Sequence, residues 1–569
     1  MGKRRILLLG AAGNIGGALW RNLKDKYEIV PFDIKPIPGH PEAIQGDIRK
    51  MEDVLPACQG IDTVLHMDGF AGGNDFEELL DVNIRGSYVV YEAARTAGCR
   101  RVVYASSNHA SGGWMNRARM HVLPDMPARP DGFYGSGKSI SEAIGFCYAD
   151  RTPLSVHCLR IGHHNPDDSP KVGGNGPWVW ISQRDMAQLT ECCIESDLKF
   201  AIFNAASNNP RTYLDTDTAR ELVGYDPQDS TGLSEHLYDP ELVRIWKELA
   251  FEYPSPEQNL SVVLKSQVKT NPLVIPPRVE ELPRREKKAA YSGHGKRRIM
   301  ITGAAGTVGT AIRSNLDRNR YEIVCLDIRP IPEEPNAVVA DITDKEQMME
   351  AIRDVDTVVH LAGIPGGEDF ERLVNLNFRG TYHVLEAAAQ NGVRQVVYAS
   401  SCCASLGWGE RADVYTTADL PMRPNSLYGA SKGYGEQLGW IYADHHDLPV
   451  ICLRIGHCTK AADDRPQGLS DLFCWISNRD MAQITSRCIE NDDIHFAVFY
   501  ATSHAPKACL DIEPAKQVLG YRPQDSVEPF MASYDEDTLR RYRQLQCRRL
   551  DRSQYLAILR YQDFGVQYW

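Results

Sequence analysis

The stretch RRILLLGAAGNIG at residues 4–16 indicates the fold of this 569-residue chain, and it returns as RRIMITGAAGTVG at residues 297–309. In each copy, a short apolar run leads into three glycines with two residues between successive glycines. Glycine permits a tight turn after a buried strand, lets a phosphate approach the main chain, and lets the following helix pack closely. The sequence therefore predicts, twice, a strand, a turn and a helix whose N-terminal N–H groups bind the diphosphate of a dinucleotide.

The similarity between the two halves extends well beyond this turn. DTVLHMDGFAGGNDFEELLDVNIRG at residues 62–86 returns as DTVVHLAGIPGGEDFERLVNLNFRG at residues 356–380. Such internal similarity indicates a tandem duplication. The predicted organisation is a first NAD-binding domain at residues 1–265, a linker at 266–295 and a second NAD-binding domain at 296–569.

Within each copy, short apolar runs rich in β-branched residues alternate with longer segments of helical spacing. Continuous apolar runs are typical of strands that are buried on both faces, and their alternation with helices indicates a parallel sheet. The predicted fold class is α/β, with two tandem Rossmann-type doubly wound parallel sheets. Each sheet is expected to carry a small C-terminal extension that binds substrate.

An acidic residue ends the second predicted strand of each copy, Asp33 in YEIVPFD and Asp327 in YEIVCLD. A carboxylate about 20 residues after the glycine turn accepts hydrogen bonds from the ribose hydroxyls and repels a 2′-phosphate, so the predicted cofactor is NAD rather than NADP. Asp47 and Asp341 suit either the adenine edge or a helix cap, and both interpretations stay open. The predicted cofactor-binding residues are Gly10, Gly13, Asn14, Ile15, Gly16, Asp33, Asp47 and Ile48 in the first copy, and Gly303, Gly306, Thr307, Val308, Gly309, Asp327, Asp341 and Ile342 in the second.

A second repeated motif places a tyrosine four residues before a lysine, in YGSGK at residues 134–138 and in YGASK at residues 428–432. A phenol with a pKa of about 10 is a poor base at neutral pH. A lysine one helical turn later, together with a positively charged nicotinamide ring, stabilises the phenolate and lowers that pKa. In each copy the pair comes after a predicted strand that ends in Ala-Ser-Ser. The motif therefore predicts a proton-transferring tyrosine in each half.

The glycine turn, the Ala-Ser-Ser strand and the tyrosine–lysine pair together resemble the extended short-chain dehydrogenase/reductase superfamily, over nearly all of both halves. This resemblance implies two active sites. In each, a serine would hydrogen-bond the substrate oxygen, the tyrosine would act as base, the lysine would hold the ribose, and an asparagine would belong to a proton relay. By position, these residues are Ser107, Tyr134, Lys138 and Asn83 in the first half and Ser401, Tyr428, Lys432 and Asn377 in the second.

The first half is also similar to the uronate dehydrogenases, which oxidise the anomeric carbon of a hexuronic acid to a lactone. The similarity lies in ASSNHA at residues 105–110 and PARPDGFYGSGK at residues 127–138. It implies a substrate pocket lined by Asn108, His109 and His163, although His109 also fits an ordinary packed histidine.

Two departures from that pattern indicate that the two pockets differ. The arginine that would bind the substrate carboxylate is expected shortly before the Trp of Trp-Ile-Ser, where this chain has Asn175 and Ser470. In the second copy SSNH becomes SSCC, so Cys402, Cys403 and His457 take the predicted substrate positions. The two cysteines fit small packed thiols better than nucleophiles. The prediction is two sites of different specificity, neither suited to simple uronates.

Composition limits the classes of partner. The net charge of −12 disfavours nucleic acid as a partner, because phosphate binding needs a basic surface. No apolar run approaches the ~20 residues of a membrane helix, and the 15 cysteines show no zinc-finger spacing. We predict a cytoplasmic protein with reduced thiols, no metal, no membrane contact and a small polar substrate.

The first functional hypothesis is an NAD-dependent oxidoreductase acting on a hydroxyl or hemiacetal of a small sugar, sugar acid or cyclitol-like substrate. The alternatives are an NAD-dependent sugar epimerase or isomerase with no net redox change, and a chain in which one half is catalytic and the other is a scaffold. Members of the superfamily commonly pair through the helix before the serine strand and the helix of the tyrosine–lysine motif. The resemblance therefore implies an intrachain pseudo-dimer of the two halves, with further homo-oligomerisation left open.

Overall fold

The computed structural model describes residues 2–37, 39–71, 75–170, 176–232, 252–254, 260–267, 296–366, 369–412, 414–460, 463–544 and 547. The chain divides into two compact units. Among the described residues, the first unit comprises those up to residue 254 and the second comprises those from residue 260 onward. Each unit contains one large sheet of mainly parallel strands connected by helices, which confirms the predicted fold class.

The first unit contains seven strands, all in parallel pairings. They are β1 (Arg5–Leu9), β2 (Glu28–Asp33), β3 (Ile44–Gln45), β4 (Thr63–His66), β5 (Arg101–Ser107), β6 (Ser155–Ile161) and β7 (Phe200–Ala205). Their order in the sheet is β3-β2-β1-β4-β5-β6-β7. The chain direction across the sheet reverses between β1 and β4, which is the place where a doubly wound sheet binds its ligand.

Helices connect these strands. They are α1 (Asn14–Leu23), α2 (Met51–Ala57), α3 (Phe76–Leu79), α4 (Gly86–Ala97), α5 (Gly112–Ala118), α6 (Phe133–Arg151), α7 (Gly176–Val179), α8 (Gln183–Glu195) and α9 (Asp217–Val223). A π-helical turn at Leu80–Arg85 joins α3 to α4 without a break. After the exposed Arg5, the central strand β1 is apolar and buried, with Leu7, Leu8 and Leu9 fully buried, as expected for a strand covered on both faces.

The second unit repeats this arrangement with an eighth strand. Its main sheet has the order β11-β10-β9-β12-β13-β14-β17-β8, and β15 and β16 form a separate pair. The strands are β8 (Val262–Leu264), β9 (Arg297–Thr302), β10 (Tyr321–Asp327), β11 (Val338–Val339), β12 (Thr357–His360), β13 (Gln395–Ser401), β14 (Val450–Ile455), β15 (His457–Cys458), β16 (Trp475–Ile476) and β17 (Ile494–Ala501). The helices are α10 (Thr307–Asn315), α11 (Lys345–Ala351), α12 (Phe370–Leu373), α13 (Gly380–Gln390), α14 (Gly407–Ala412), α15 (Leu427–His446), α16 (Asp471–Cys474), α17 (Asn478–Ile489) and α18 (Glu536–Gln544), with π-helical turns at Val374–Arg379 and Ala515–Leu519.

Strand β8 differs from the predicted domain boundary. The first domain was expected to extend to residue 265, but β8 pairs antiparallel with β17 of the second sheet, and the Val498 N–H donates to the Ser261 carbonyl at 2.8 Å. The strand therefore belongs to the second unit, because the exposed edge of β17 offers main-chain partners that sequence periodicity does not reveal. From residue 268 to residue 295, the predicted linker lies outside the described residues.

One disulfide departs from the prediction that all the thiols are reduced. Cys509 and Cys547 form a disulfide between residues 38 positions apart, whereas 13 other cysteines are free. No sequence pattern predicts a disulfide between these two cysteines, because it is the fold that brings their Cα atoms to 5.7 Å. Among the described residues, no helix is long and apolar enough to cross a membrane.

Candidate active sites

The turn after β1 forms a cradle that only glycine fits. Gly10 has a φ of +76°, and a Cβ built on Gly16 would lie 2.1 Å from the Gly10 carbonyl oxygen. Helix α1 begins at Asn14, and no side chain in the described part of the chain caps its first turn. Its main-chain N–H groups therefore fit a diphosphate. The second unit repeats this geometry at Gly303, with a φ of +69°, and at Gly309, whose Cβ would lie 2.4 Å from the Gly303 oxygen.

The other predicted residues of the glycine turn lie at the same helix ends. Gly13 and Gly306 immediately precede α1 and α10 in extended conformation. Ile15 and Val308 turn toward the hydrophobic core of their units. Thr307 is the first residue of α10, the position that Asn14 takes in α1.

The predicted acidic residues lie beside both cradles. Asp33 Oδ2 accepts from the Ala12 N–H at 2.9 Å, and its Oδ1 accepts from the Lys35 N–H at 2.9 Å. Asp327 makes the matching bonds, to the Ala305 N–H at 2.9 Å and to the Arg329 N–H at 3.0 Å. These bonds fix each carboxylate at the end of the second strand, where a ribose is expected next to the cradle.

Asp47 and Asp341 do not cap a helix, since the residues at the N-caps of α2 and α11 are Lys50 and Asp344. Asp47 accepts from the Arg49 guanidinium at 2.7 Å, and this ion pair holds the pKa of Asp47 below its usual value. Asp341 accepts from the Thr343 N–H at 2.8 Å. The side chains of Ile48 and Ile342 are buried against Gly86 and Gly380, where each packs beneath a helix.

The fold brings the predicted serine, tyrosine and lysine of the first unit together. Ser107 ends β5, and Tyr134 and Lys138 lie in the first two turns of α6. Ser107 lies beside Tyr134, and Lys138 Nζ lies 5.9 Å from the centre of the tyrosine ring. Lys138 Nζ also donates to the Ala105 carbonyl at 2.8 Å. The second unit places Ser401 at the end of β13 and in the same contact with Tyr428, one helical turn before Lys432.

Burial shifts the pKa of the tyrosine and of the lysine in each unit. Burial raises the pKa of Tyr134 and of Tyr428, and the hydrogen bond with Ser107 or Ser401 opposes the rise. Burial also lowers the pKa of Lys138 and of Lys432 to about 8. Desolvation is therefore the largest influence on both tyrosines and on both lysines.

The predicted relay asparagines lie in the two π-helical turns. Asn83 Oδ1 accepts from the Phe70 N–H at 2.8 Å, and its Nδ2 donates to the Phe70 carbonyl at 3.0 Å. Asn377 makes the same pair of bonds to Ile364, at 2.9 and 3.2 Å. Each side chain therefore holds the loop that follows β4 in the first unit or β12 in the second. The π-helical turn, a feature often found at functional sites, was not predicted.

In the first unit, His109 is held beside Tyr134. Its Nδ1 lies 2.9 Å from Asp131 Oδ2, its ring centre lies 5.7 Å from that of Tyr134, and Asp131 raises the pKa of His109. Asn108 Nδ2 donates to the Tyr213 hydroxyl at 3.3 Å. Asp131 was not predicted as a site residue, although it lies in the PARPDG segment that carried the family resemblance.

The second unit replaces this histidine–aspartate pair by Cys403 and Asn425. The main-chain frame is the same, because the Asn425 N–H donates to the Cys403 carbonyl at 3.1 Å and the Asp131 N–H donates to the His109 carbonyl at 3.2 Å. Cys402 is buried, and its thiol lowers the pKa of the neighbouring Cys403. Two units with one frame therefore present different polar groups beside the tyrosine.

The histidines after the sixth strand of each copy also have different surroundings. His163 is exposed, and its main chain pairs with that of Trp180. His457 Nδ1 lies 2.6 Å from Asp471 Oδ1, and this carboxylate raises the pKa of His457. Ser470 adjoins Asp471 at the N-terminus of α16, whereas Asn175 lies outside the described residues. No group of three His, Cys, Asp or Glu side chains in the described ranges could hold a metal ion.

A buried ion pair lies against each strand that ends in Ala-Ser-Ser, β5 in the first unit and β13 in the second. Arg160 Nη2 lies 2.9 Å from Glu142 Oε2, and Ser106 Oγ donates to Glu142 Oε1 at 2.5 Å. Arg454, Glu436 and Ser400 repeat this arrangement, with the ion pair at 2.8 Å. The network joins the fifth strand, the sixth strand and the helix of the tyrosine–lysine motif. Sequence reasoning missed it, and the repeated Glu four residues after each motif lysine was the available signal.

Comparison with known proteins finds sequence similarity to NAD-dependent enzymes. The profile of the NAD dependent epimerase/dehydratase family matches residues 6–167 and 299–469. Uronate dehydrogenase of Pseudomonas putida is 32% identical over 243 residues, which are 42% of this chain and 88% of that protein. NAD-dependent glucose-6-phosphate dehydrogenase of Haloferax volcanii is 32% identical over 248 residues, which are 40% of this chain and 94% of that protein. A solved uronate dehydrogenase variant from Agrobacterium tumefaciens, complexed with NAD, is 27% identical with a TM-score of 0.39 and covers 45% of this chain and 92% of the solved chain.

Proposed function

Since this chain belongs to the NAD dependent epimerase/dehydratase family, we propose that it is an NAD-dependent oxidoreductase with two active sites, one in each unit. The observation that carries the proposal is the duplication of the whole constellation. Each unit holds a glycine cradle, an acidic residue beside it, and a serine in contact with a tyrosine one helical turn before a lysine. The intact second set disfavours a scaffold role for either half.

The residues of each unit fit the family reaction. The glycine cradle and Asp33 would hold NAD in the first unit, and the bound cofactor would supply the acceptor for a hydride from the carbinol carbon of the substrate. Ser107 holds the substrate oxygen, and Tyr134 removes the hydroxyl proton. The buried Lys138 ammonium stabilises the phenolate that forms. Ser401, Tyr428 and Lys432 do the same in the second unit.

The substrate class is proposed as a small sugar, sugar acid or cyclitol-like molecule with a reacting hydroxyl or hemiacetal. Relatives that support it are named for a uronate, for glucose 6-phosphate and, at 30% identity over 260 residues, for L-arabinose. The pair His109–Asp131 and the pair Cys403–Asn425 offer different hydrogen-bonding groups. A pocket built to bond a hydroxyl rejects analogues that lack it, so the two units are proposed to prefer different substrates.

A screen of sugars, sugar acids and cyclitols with NAD tests the reaction type. We expect at least one compound to produce free NADH, measured by its absorbance, because a dehydrogenase releases its reduced cofactor. Interconversion of sugar epimers without free NADH would contradict the dehydrogenase proposal and favour an epimerase. The double variant Tyr134→Phe/Tyr428→Phe is the control for contaminating activity.

We also propose that the two units pair within the chain through α4 with α6 and α13 with α15. The proposal rests on the pairing that is common in the superfamily and on the presence of both helices in each unit. Gly137, Gly433 and Gly435 pack against Asn83, Met422 and Tyr398 of their own units.

Cross-linking tests the pairing. Cysteines introduced on α4 and α13 should form cross-links within one chain, detected as a mobility shift of the monomer. Cross-links that form between chains and never within one would contradict the intrachain pseudo-dimer. Cysteines on α9, outside the proposed contact, serve as the matched control.

A further inference from the structure

Asp68 distinguishes the cofactor cradle of the first unit from that of the second. It follows β4, at the place where the second unit has Ala362. A Cβ built on Gly10 would lie 3.0 Å from Asp68 Oδ1, so the carboxylate packs against the first glycine of the cradle. On its other side, Lys138 Nζ donates to the Asp68 carbonyl at 3.4 Å. Asp68 thus lies between the cradle and the lysine of the active site.

The Asp68 carboxylate lacks the partners that its acidic neighbours have. Its Oδ2 is shielded from solvent and has no hydrogen-bond partner among the described residues. Asp33 accepts two main-chain N–H groups, and Asp47 is paired with the Arg49 guanidinium. Bonds of this kind stabilise an ionised carboxylate. The ionised form of Asp68 lacks this stabilisation at Oδ2.

The charges that face Asp68 come from four elements. Burial and the Asp33 carboxylate raise the pKa of Asp68 to about 7, Lys138 opposes the rise, and the more distant Asp47 adds to it. His66, two residues earlier on β4, is neutral at physiological pH because burial lowers its pKa to about 3. Lys138 is thus the cation that faces three acids, and the charge of Asp68 changes near neutral pH.

We propose that Asp68 carries a proton when NAD is bound, so that the affinity of the first unit for NAD falls as pH rises above neutrality. A dinucleotide brings two phosphate charges to a cradle already flanked by Asp33, and a neutral carboxyl removes one repulsion and supplies an O–H donor. The second unit has no acid at this position and lacks this contribution. Lys138 and Lys432, whose pKa burial lowers to about 8, lose charge in both units as pH rises, so the effect of Asp68 is the difference between the two units. The inference rests on the proposed NAD site of the first unit.

The sign follows from linkage. NAD favours the protonated carboxyl, so binding above pH 7 takes up a proton, and each further pH unit weakens binding by up to tenfold. Between pH 6.5 and pH 8.5 the dissociation constant of the first site should rise by roughly ten- to thirtyfold. At pH 8 the same site should take up between half a proton and one proton.

Calorimetric titration of the full chain with NAD tests this, at pH 6.5, 7.5 and 8.5 and in buffers of different ionisation enthalpy. We expect the affinity of the first site to fall more steeply with pH than that of the second, because the lysine is common to both units and Asp68 is not. Asp68→Asn, which keeps the shape but cannot ionise, should reduce the pH dependence and the proton uptake of the first site to those of the second. Ala362→Asp should give the second unit the steeper dependence. Thermal unfolding of each variant checks that the fold is retained.

The possible results distinguish a failure of the proposed role of Asp68 from a failure of the proposed two-site function. Two sites with the same dependence of affinity on pH, or an Asp68→Asn variant with unchanged pH dependence, would overturn the role of Asp68 alone. A first site that tightens as pH rises would show that the ionised carboxylate binds NAD, and would also overturn it. A single NAD site at every pH would overturn the two-site function and this inference together.

Discussion

Replacing Tyr134 by Phe should abolish one activity of the chain, and replacing Tyr428 by Phe should abolish a different one. Each loss should amount to roughly 10²- to 10⁴-fold in kcat, the usual contribution of a positioned acid–base group. The activities should differ because His109 and Asp131 stand beside one tyrosine whereas Cys403 and Asn425 stand beside the other. We expect the two activities that these variants lose to be successive steps of one pathway.

Each variant is assayed on the substrates found by screening and on glucuronate and galacturonate. Tyr27→Phe and Tyr321→Phe are the controls, since these tyrosines bond Glu195 and Glu490, away from the catalytic residues. Equal loss of the same activity in both catalytic variants would contradict two specialised sites. So would a natural chain with uronates as its best substrates.

Replacing Gly16 by Ala should remove NAD from the first unit only, and Gly309→Ala should remove it from the second. A Cβ at either position would collide with a main-chain carbonyl, at 2.1 or 2.4 Å, so the cradle must shift. Overpacking of this kind costs about 1–3 kcal/mol, which corresponds to a loss of roughly ten- to a hundredfold in affinity. Calorimetry measures the loss.

Gly17→Ala is the matched control for Gly16→Ala. Its Cβ would lie 3.4 Å from the flexible Arg21 side chain, and the second unit already carries Thr310 at this position. Affinity for NAD should therefore stay within about twofold of the natural chain, as is usual for a substitution without strain. A Gly16→Ala variant that still bound two NAD molecules with unchanged affinity would contradict the cradle.

The parts of the site that the sequence predicted are local in the chain. The glycine turn, the acidic residue at the next strand end and the tyrosine–lysine pair are each set by a few neighbouring residues. Their meeting at one edge follows from the doubly wound topology, in which the carboxyl ends of parallel strands lie together. Duplication strengthened the prediction, because Ser107, Tyr134 and Lys138 all recur.

The parts that were missed depend on contacts between distant residues. Asp131 reaches His109 across 22 positions, and β8 joins β17 from more than two hundred residues away. The π-helical turn at Leu80–Arg85 adds a residue to a helical turn, which hydrophobic spacing does not register. The raised pKa of Tyr134 reflects its burial, and burial is a property of the assembled fold.

The stoichiometry of NAD binding to the full chain tests two active sites most directly. Isothermal titration at pH 6.5 should give two NAD molecules per polypeptide, and the Gly16→Ala or the Gly309→Ala variant should each retain one. A single NAD per natural chain, lost completely in one of these variants and unaffected by the other, would contradict the account.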